Sequence, residues 1–219
     1  MAEAMIRPDA SGKPGRDCPL CPRLKALRED LRRREPDWFN APVASFGSAA
    51  ARLLIVGLAP GLRGANRTGR PFTGDYAGDL LYDTLKRFDF ARGSYAARPD
   101  DGLTLIDARI TNAVRCVPPE NKPSGMEIAT CRRFLAATIA EMRNLRVIVA
   151  LGRIAHDSVL AALEQPVKTA VFAHGCACEI GQLRLFGSYH CSRLNTNTGV
   201  LTPKMFRAVF AAARAHLDA

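Results

Sequence analysis

RLLIVGL, residues 52–58, is an unbroken apolar run of strand length that stops at Ala59-Pro60-Gly61. A strand wetted on one side alternates apolar and polar residues. A run without alternation belongs to a parallel strand covered on both faces. RVIVAL, residues 146–151, repeats the pattern and passes through Gly152 into a helical stretch from Arg153 to Leu163. That is a strand feeding a helix. Leu103 to Ile110 and Leu183 to Tyr189, each bounded by glycine or polar turn residues, complete a set of four strands.

The intervening helices have legible starts. Leu24 to Arg34, LKALREDLRRR, reads as a short basic helix with few apolar positions, lying on the surface with a solvated charged face. Ser124-Gly125-Met126-Glu127 fits a capping box, after which Ile128, Cys131, Phe134, Leu135 and Met142 fall mainly on one helical face. Thr202-Pro203 opens the last helix, with Met205, Val209, Phe210 and Ala213 available to pack. The alternation predicts an α/β fold, a three-layer α/β/α sandwich with a short, mainly parallel four-stranded central sheet. Residues 1–15 carry no apolar periodicity and are expected to form a disordered lead, leaving residues 16–219 as a single domain.

The charge balance bears on partners. Lys and Arg number 31 against 21 Asp and Glu, an excess of +10, which favours a polyanion, most simply nucleic acid. No apolar run is long enough to span a membrane and no signal-type segment opens the chain, so a cytoplasmic protein is expected, without a membrane partner. Seven cysteines in such a chain point to metal binding or catalysis more than to disulfides. Cys18 and Cys21 form a C-x-x-C, and Cys116 and Cys131 a wider pair. Four cysteines suit zinc and a [4Fe-4S] cluster equally, and spacing does not separate them.

In open parallel sheets the ligand binds beyond the carboxyl ends of the strands, which singles out residues 57–79, 111–124 and 190–202. The first, GLAPGLRGANRTGRPFTGDYAGD, carries six glycines, so its backbone comes close to something. It lacks the Gly-Lys-Ser/Thr of a P-loop and the spacing of a dinucleotide fingerprint. Phe72 and Asp75 are its distinctive side chains, a flat apolar face and a carboxylate; taken alone, Asp75 would cap a helix starting near Gly78. In the third segment His190 follows a predicted strand. Ser192, Asn195, Thr196 and Thr198 suit phosphate oxygens, and Arg193-Leu194 is composed to push into a base stack.

GLAPG, GANRTGRPFTGD, VRCVPPENKP and H-x-S-x-x-NT-x-TG, in that order, resemble the uracil-DNA glycosylase superfamily, specifically its iron–sulfur family 5 (type b) enzymes, from about Cys18 to about Phe206. The resemblance implies a base-excision repair enzyme that flips a deaminated base out of DNA and cleaves its N-glycosidic bond with water. It implies catalytic roles for Asp75, His190 and Asn121, and a base pocket at Gly57, Leu58, Ala59, Phe72 and Asn112. Ser192, Arg193, Leu194, Asn195, Thr196 and Thr198 become the DNA-contacting set, with Arg193-Leu194 as wedge. It also implies that Cys18, Cys21, Cys116 and Cys131 hold a structural [4Fe-4S] cluster. Cys176, Cys178 and Cys191 receive no role.

Two departures matter. Family 4 has an acid in its GEAPG motif where this chain has Leu58, which leaves Asp75 as the available carboxylate. Asn112 stands where family 5 commonly has a small apolar residue and family 4 a base-reading Asn, an amide that would tighten selection toward uracil over hypoxanthine or xanthine. The expected protein is a monomeric, monofunctional glycosylase acting on DNA with deaminated bases in a bacterial-type cytosol or nucleoid; no catalytic lysine is assigned and no lyase step is expected. One rival is a damage sensor of the same fold that binds uracil-DNA without cleaving it. Another is a nucleotide-handling α/β enzyme using the glycine-rich loop for phosphate.

Overall fold

A computed structural model describes residues 12–219; of the lead expected over residues 1–15, residues 1–11 lie outside the described residues, and residues 12–15 carry no helix or strand. In chain order the elements are α1 (Pro22–Arg34), β1 (Phe46–Gly47), β2 (Leu53–Gly57), α2 (Ala65–Thr68), α3 (Tyr76–Arg87), β3 (Ala91–Arg92), β4 (Thr104–Leu105) and β5 (Ala108–Asn112). They continue as α4 (Gly125–Glu141), β6 (Val147–Leu151), α5 (Arg153–Ala162), β7 (Ala177–Ile180), β8 (Leu183–Ser188), α6 (Arg193–Asn197) and α7 (Pro203–Asp218).

The main sheet runs β1-β5-β2-β6-β8-β7, and its four inner strands are mutually parallel, as expected. Side chains alternate across them. Leu53, Ile55, Val147 and Val149 pack with α3 and α7 through Leu81, Leu85, Phe206 and Phe210. Leu54, Val56, Ile148 and Ala150 pack on the other face with Leu135 of α4 and Val159 of α5. With both faces covered, β2, β5 and β6 are buried throughout, which is why the runs at 52–58 and 146–151 show no alternation.

The sheet is wider than the expected four strands because β1 and β7 flank it, each antiparallel to its neighbour. β1 is two residues long and β7 is largely exposed, so neither carries an apolar signature. The strand expected over 103–110 divides. Asp107 takes φ 51° and its carboxylate accepts from Arg52 N at 2.8 Å and Arg52 Nε at 2.7 Å, turning the chain there. Thr104–Leu105 pairs instead with β3 in a separate ribbon, and β5 begins at Ala108 and runs on to Asn112.

The helix starts read from the sequence are present. Ser124 and Glu127 exchange both capping-box hydrogen bonds, and Thr202 accepts from Met205 N at 3.2 Å. α1 differs from a purely solvated basic helix: Leu24, Arg28 and Leu31 form a buried stripe along it. Among the described residues no helix is long and apolar enough to cross a membrane.

Candidate active site

The segments leaving the carboxyl ends of β2, β5 and β8 surround a cleft of about 630 Å³. Leu58 and Ala59 follow β2, Asn112 ends β5, and His190 follows β8; all four line the cleft. Gly57 sits just behind the wall, opposite Asn112 in the strand register. A Cβ on Gly57 would stand 2.5 Å from Asn112 Oδ1 and 2.7 Å from the Phe72 ring. Glycine there lets an amide and an aromatic converge on the strand end. Asn112 is 3% exposed and its Oδ1 has no hydrogen-bond partner. A buried amide oxygen left unpaired costs free energy unless a ligand supplies a donor.

Phe72 lines the cleft at φ 53°, a left-handed conformation that bulky side chains rarely adopt. The surrounding structure over-determines it. Tyr95 donates its hydroxyl to the Phe72 carbonyl at 3.2 Å, and Tyr82 donates to the Pro71 carbonyl at 2.6 Å. Arg70 donates Nε to Thr73 Oγ1 at 2.8 Å and grips Asp101 through two bonds, each 2.8 Å. A buried ion pair behind the loop therefore holds a strained aromatic in front of it.

The Phe72 ring stacks on His190 with centroids 5.9 Å apart and 29° between planes. Desolvation pulls the His190 pKa down to about 4, so the imidazole is neutral near pH 7. Its backbone is tethered: Asn195 Nδ2 donates to the His190 carbonyl at 2.8 Å, and the neighbouring Cys191 thiol donates to Ala77 O at 3.4 Å.

Asp75 occupies the N-cap position of α3, yet its carboxylate makes no capping hydrogen bond and Oδ1 is buried without a partner. The first-turn amides of α3 favour its charge from the N-cap position, but Oδ1 stays unpaired. Gly61 and Gly64 leave it room; a Cβ on Gly61 would lie 2.9 Å from Oδ2, and one on Gly64 would collide with it. Burial raises the Asp75 pKa above the usual carboxylate value, the amides of Gly78 and Ala77 offset part of that rise, and Asp79 adds to it.

Asn121 ends a short turn in which it and Glu120 both take left-handed backbone angles, φ 58° and 54°, and it lines the outer rim of the cleft. On the opposite rim Ser192 caps α6, accepting from Asn195 N at 3.4 Å, and the Arg193 guanidinium lies 5.2 Å over the Tyr76 ring. Leu194 is 71% exposed. Of the remaining residues expected to contact DNA, Thr196 and Thr198 donate their hydroxyls to the carbonyls of Ser192 at 3.1 Å and Leu194 at 2.7 Å. Those two and Asn195 stand outside the cleft wall, with their donors used internally.

Residues 44–214 match the uracil DNA glycosylase superfamily. The chain belongs to that superfamily. A type-5 uracil-DNA glycosylase from Thermus thermophilus is 44% identical over 204 residues, covering 90% of this chain and 92% of the relative. Type-5 uracil-DNA glycosylases from Pyrobaculum aerophilum and Mycobacterium bovis are 38% and 42% identical, covering 91% and 90% of this chain and 88% and 77% of their own lengths.

The superfamily match starts after the C-x-x-C, but the structure brings that segment to it. Cys18, Cys21, Cys116 and Cys131, all free thiols, line one small cavity between α1, α4 and the segment after β5. Burial pushes the Cys21 thiol up to about 11 and the Cys116 thiol up to about 12. Among the described residues no group of three His, Cys, Asp or Glu converges closely enough for a metal ion. Arg23 ties the same segment to the Asn121 loop by donating to Glu127 at 2.7 and 2.8 Å and to the Lys122 carbonyl at 3.0 Å.

Three features of this superfamily member carry little signal in its sequence. Gly61 and Gly64 act as space for Asp75, a role only their spacing around the loop hints at. Asn195 was legible as polar but not as a tether. The Arg70–Asp101 pair joins residues 31 apart and carries no local signal.

Proposed function

We propose that the protein extrudes uracil, and other deaminated bases such as hypoxanthine or xanthine, from DNA into this cleft and hydrolyses the N-glycosidic bond with water, leaving an abasic site. The observation that carries this reading is a pair of buried, unpartnered oxygens, Asp75 Oδ1 and Asn112 Oδ1, on side chains lining one cleft with a strained aromatic and a neutral imidazole. Groups left unsatisfied at that density await a polar ligand with a flat face.

Extrusion costs a few kcal/mol of unstacking. Leu194, exposed beside Arg193, fills the vacated stack, and the exposed Arg63 and Arg193 lining the cleft meet phosphates. The base slides against Phe72, where the Asn112 amide and the Leu58–Ala59 backbone read its edge. As the bond breaks, the sugar becomes cationic and the base anionic. Asp75 stabilises the sugar and accepts a proton from the attacking water, a task its raised pKa favours. His190 donates a hydrogen bond from its neutral ring to the departing base oxygen, and Asn121 positions the water or the base from the rim.

For Cys18, Cys21, Cys116 and Cys131 we propose ligation of a [4Fe-4S] cluster. Four cysteine thiols around one cavity are the donor set such a cluster takes. Two N–H donors aimed at sulfur, Arg115 N to Cys131 Sγ at 3.3 Å and Arg28 Nη1 to Cys116 Sγ at 3.6 Å, suit thiolates. When bound by these four cysteines, the cluster would cross-link the amino-terminal segment to the Asn121 loop. We also propose that the protein acts as a monomer, in the cytoplasm.

Single-turnover cleavage of duplexes carrying uracil or hypoxanthine tests the reading. Wild type cleaves, whereas Asp75→Ala binds uracil-DNA within a few-fold and cleaves at least about a hundredfold more slowly. Tight binding with no cleavage by wild type would replace the enzyme by a damage sensor.

A further inference from the structure

α1 buries an arginine in a stripe where its neighbours are leucines. Arg28 is 3% exposed, between Leu24 at 1% and Leu31 at 3%. Its Nη2 donates to the Cys18 carbonyl at 2.9 Å and its Nη1 points at Cys116 Sγ at 3.6 Å, while Nε is buried with no partner. No carboxylate pairs with it among the described residues. The two acids of this region are already taken, Asp17 by Arg32 at 2.6 Å and Glu127 by Arg23 at 2.7 Å.

A buried guanidinium without an anion is strongly destabilising, because it has lost its hydration and gained no counter-charge. The Asp17 carboxylate feels Arg28 only at longer range, is largely exposed and is held by Arg32, so the group in hydrogen-bonding reach of the guanidinium that can become anionic is the Cys116 sulfur. Four neutral thiols would leave Arg28 uncompensated. Four thiolates around an iron–sulfur core carry net negative charge, and a cation hydrogen-bonded to one of them offsets it.

We propose that Arg28 is the charge-compensating residue of the cluster site: its guanidinium neutralises the thiolate of Cys116, holds the reduction potential of the cluster up, and protects the cluster from oxidative loss. This rests on the cluster reading given above. The direction follows from electrostatics. Removing one electron from the cluster makes it more positive, so a nearby fixed cation opposes oxidation and its removal favours it.

The test uses the full chain purified without oxygen, its iron and sulfide contents measured first. Excess ferricyanide then takes a first electron from each cluster, becoming ferrocyanide, and takes further electrons as the oxidised core sheds its iron and breaks down; the rate of loss of the cluster's visible absorbance is followed alongside a midpoint-potential titration. Arg28→Met and Arg28→Gln should bleach about tenfold faster than wild type, with the couple shifted down by about 59 mV, the one-electron equivalent of tenfold. Arg28→Lys, which keeps the charge, should stay within about threefold of wild type on the same scale. The exposed-arginine control Arg34→Gln should match wild type. Charge-removing variants that fold but retain no iron, while the lysine variant retains it, carry the same meaning. Wild-type bleaching in the Met and Gln variants, or failure of the lysine variant together with them, would overturn the role. Absence of iron and sulfide from wild type would instead overturn the cluster reading itself.

Discussion

The Asp75 carboxylate lies against the backbone of Gly64 with no space between them for a methyl group. A side chain that is half-buried, unpaired at Oδ1 and walled in by two glycines has its position set by what those glycines lack. A misplacement of about an ångström at a reacting group can cost a hundredfold in rate.

Gly64→Ala should therefore lower single-turnover cleavage by about a hundredfold while leaving DNA affinity within about threefold. Gly61→Ala should do less, since its added methyl meets only the tip of the carboxylate, at 2.9 Å. Equal rates in wild type and Gly64→Ala, with circular dichroism unchanged, would remove Asp75 from the reacting centre.

His190 makes a pH prediction. Its folded pKa of about 4 lies below the ordinary 6.5, so between those values the unfolded chain holds more protons at this position than the folded one. Stability at this position falls as the pH is lowered from about 6.5 to about 4, and His190→Gln should flatten that slope in urea titrations at several pH values. The cleavage rate should show no histidine titration near pH 6.5. Its acid limb should instead follow Asp75, above the usual carboxylate range, and a limb unchanged in Asp75→Asn would contradict the assignment.

Arg70 and Asp101 are 5% and 0% exposed and face each other behind the Phe72 loop. Asp101→Asn leaves a buried guanidinium unpaired and should cost about 3–5 kcal/mol in denaturant unfolding. Arg70→Met with Asp101→Leu should recover much of that stability. It should not recover cleavage, because the fork that sets Pro71 to Thr73 is gone. Full recovery of both would show that Phe72 needs no clamp.

Asn195→Ala removes the 2.8 Å hydrogen bond to the His190 carbonyl. A loss of about tenfold in kcat with KM nearly unchanged is expected, the kinetic equivalent of roughly 1.4 kcal/mol at the transition state. A purely phosphate-contacting Asn195 would instead raise KM and leave kcat nearly unchanged.

Local patterning made much of this protein legible. The uninterrupted apolar runs at 53–57 and 147–151 exist because both faces of those strands are covered, and the capping box at Ser124 satisfies free amides within one turn. The edge strands β1 and β7 escaped because pairing at an edge needs backbone hydrogen bonds, not buried side chains. Asp107 broke an apparently continuous strand by a left-handed turn held from Arg52, a partner 55 residues away.

The apolar runs determined the parallel sheet, and the order of the motifs determined the superfamily and the identities of Phe72, Asp75, Asn112, Asn121 and His190 as site candidates. Those follow from residue types at fixed spacing, which a linear chain displays. Tertiary structure decided that all five share one cleft, that Asp75 and Asn112 keep an unpaired oxygen, and that Asn195 tethers His190. It also decided that Arg28 turns inward onto the cysteines, although the same helix reads as a solvated charged face. Desolvation and charge pairing depend on what the fold brings within a few ångströms, and that proximity is not written in any short stretch of sequence.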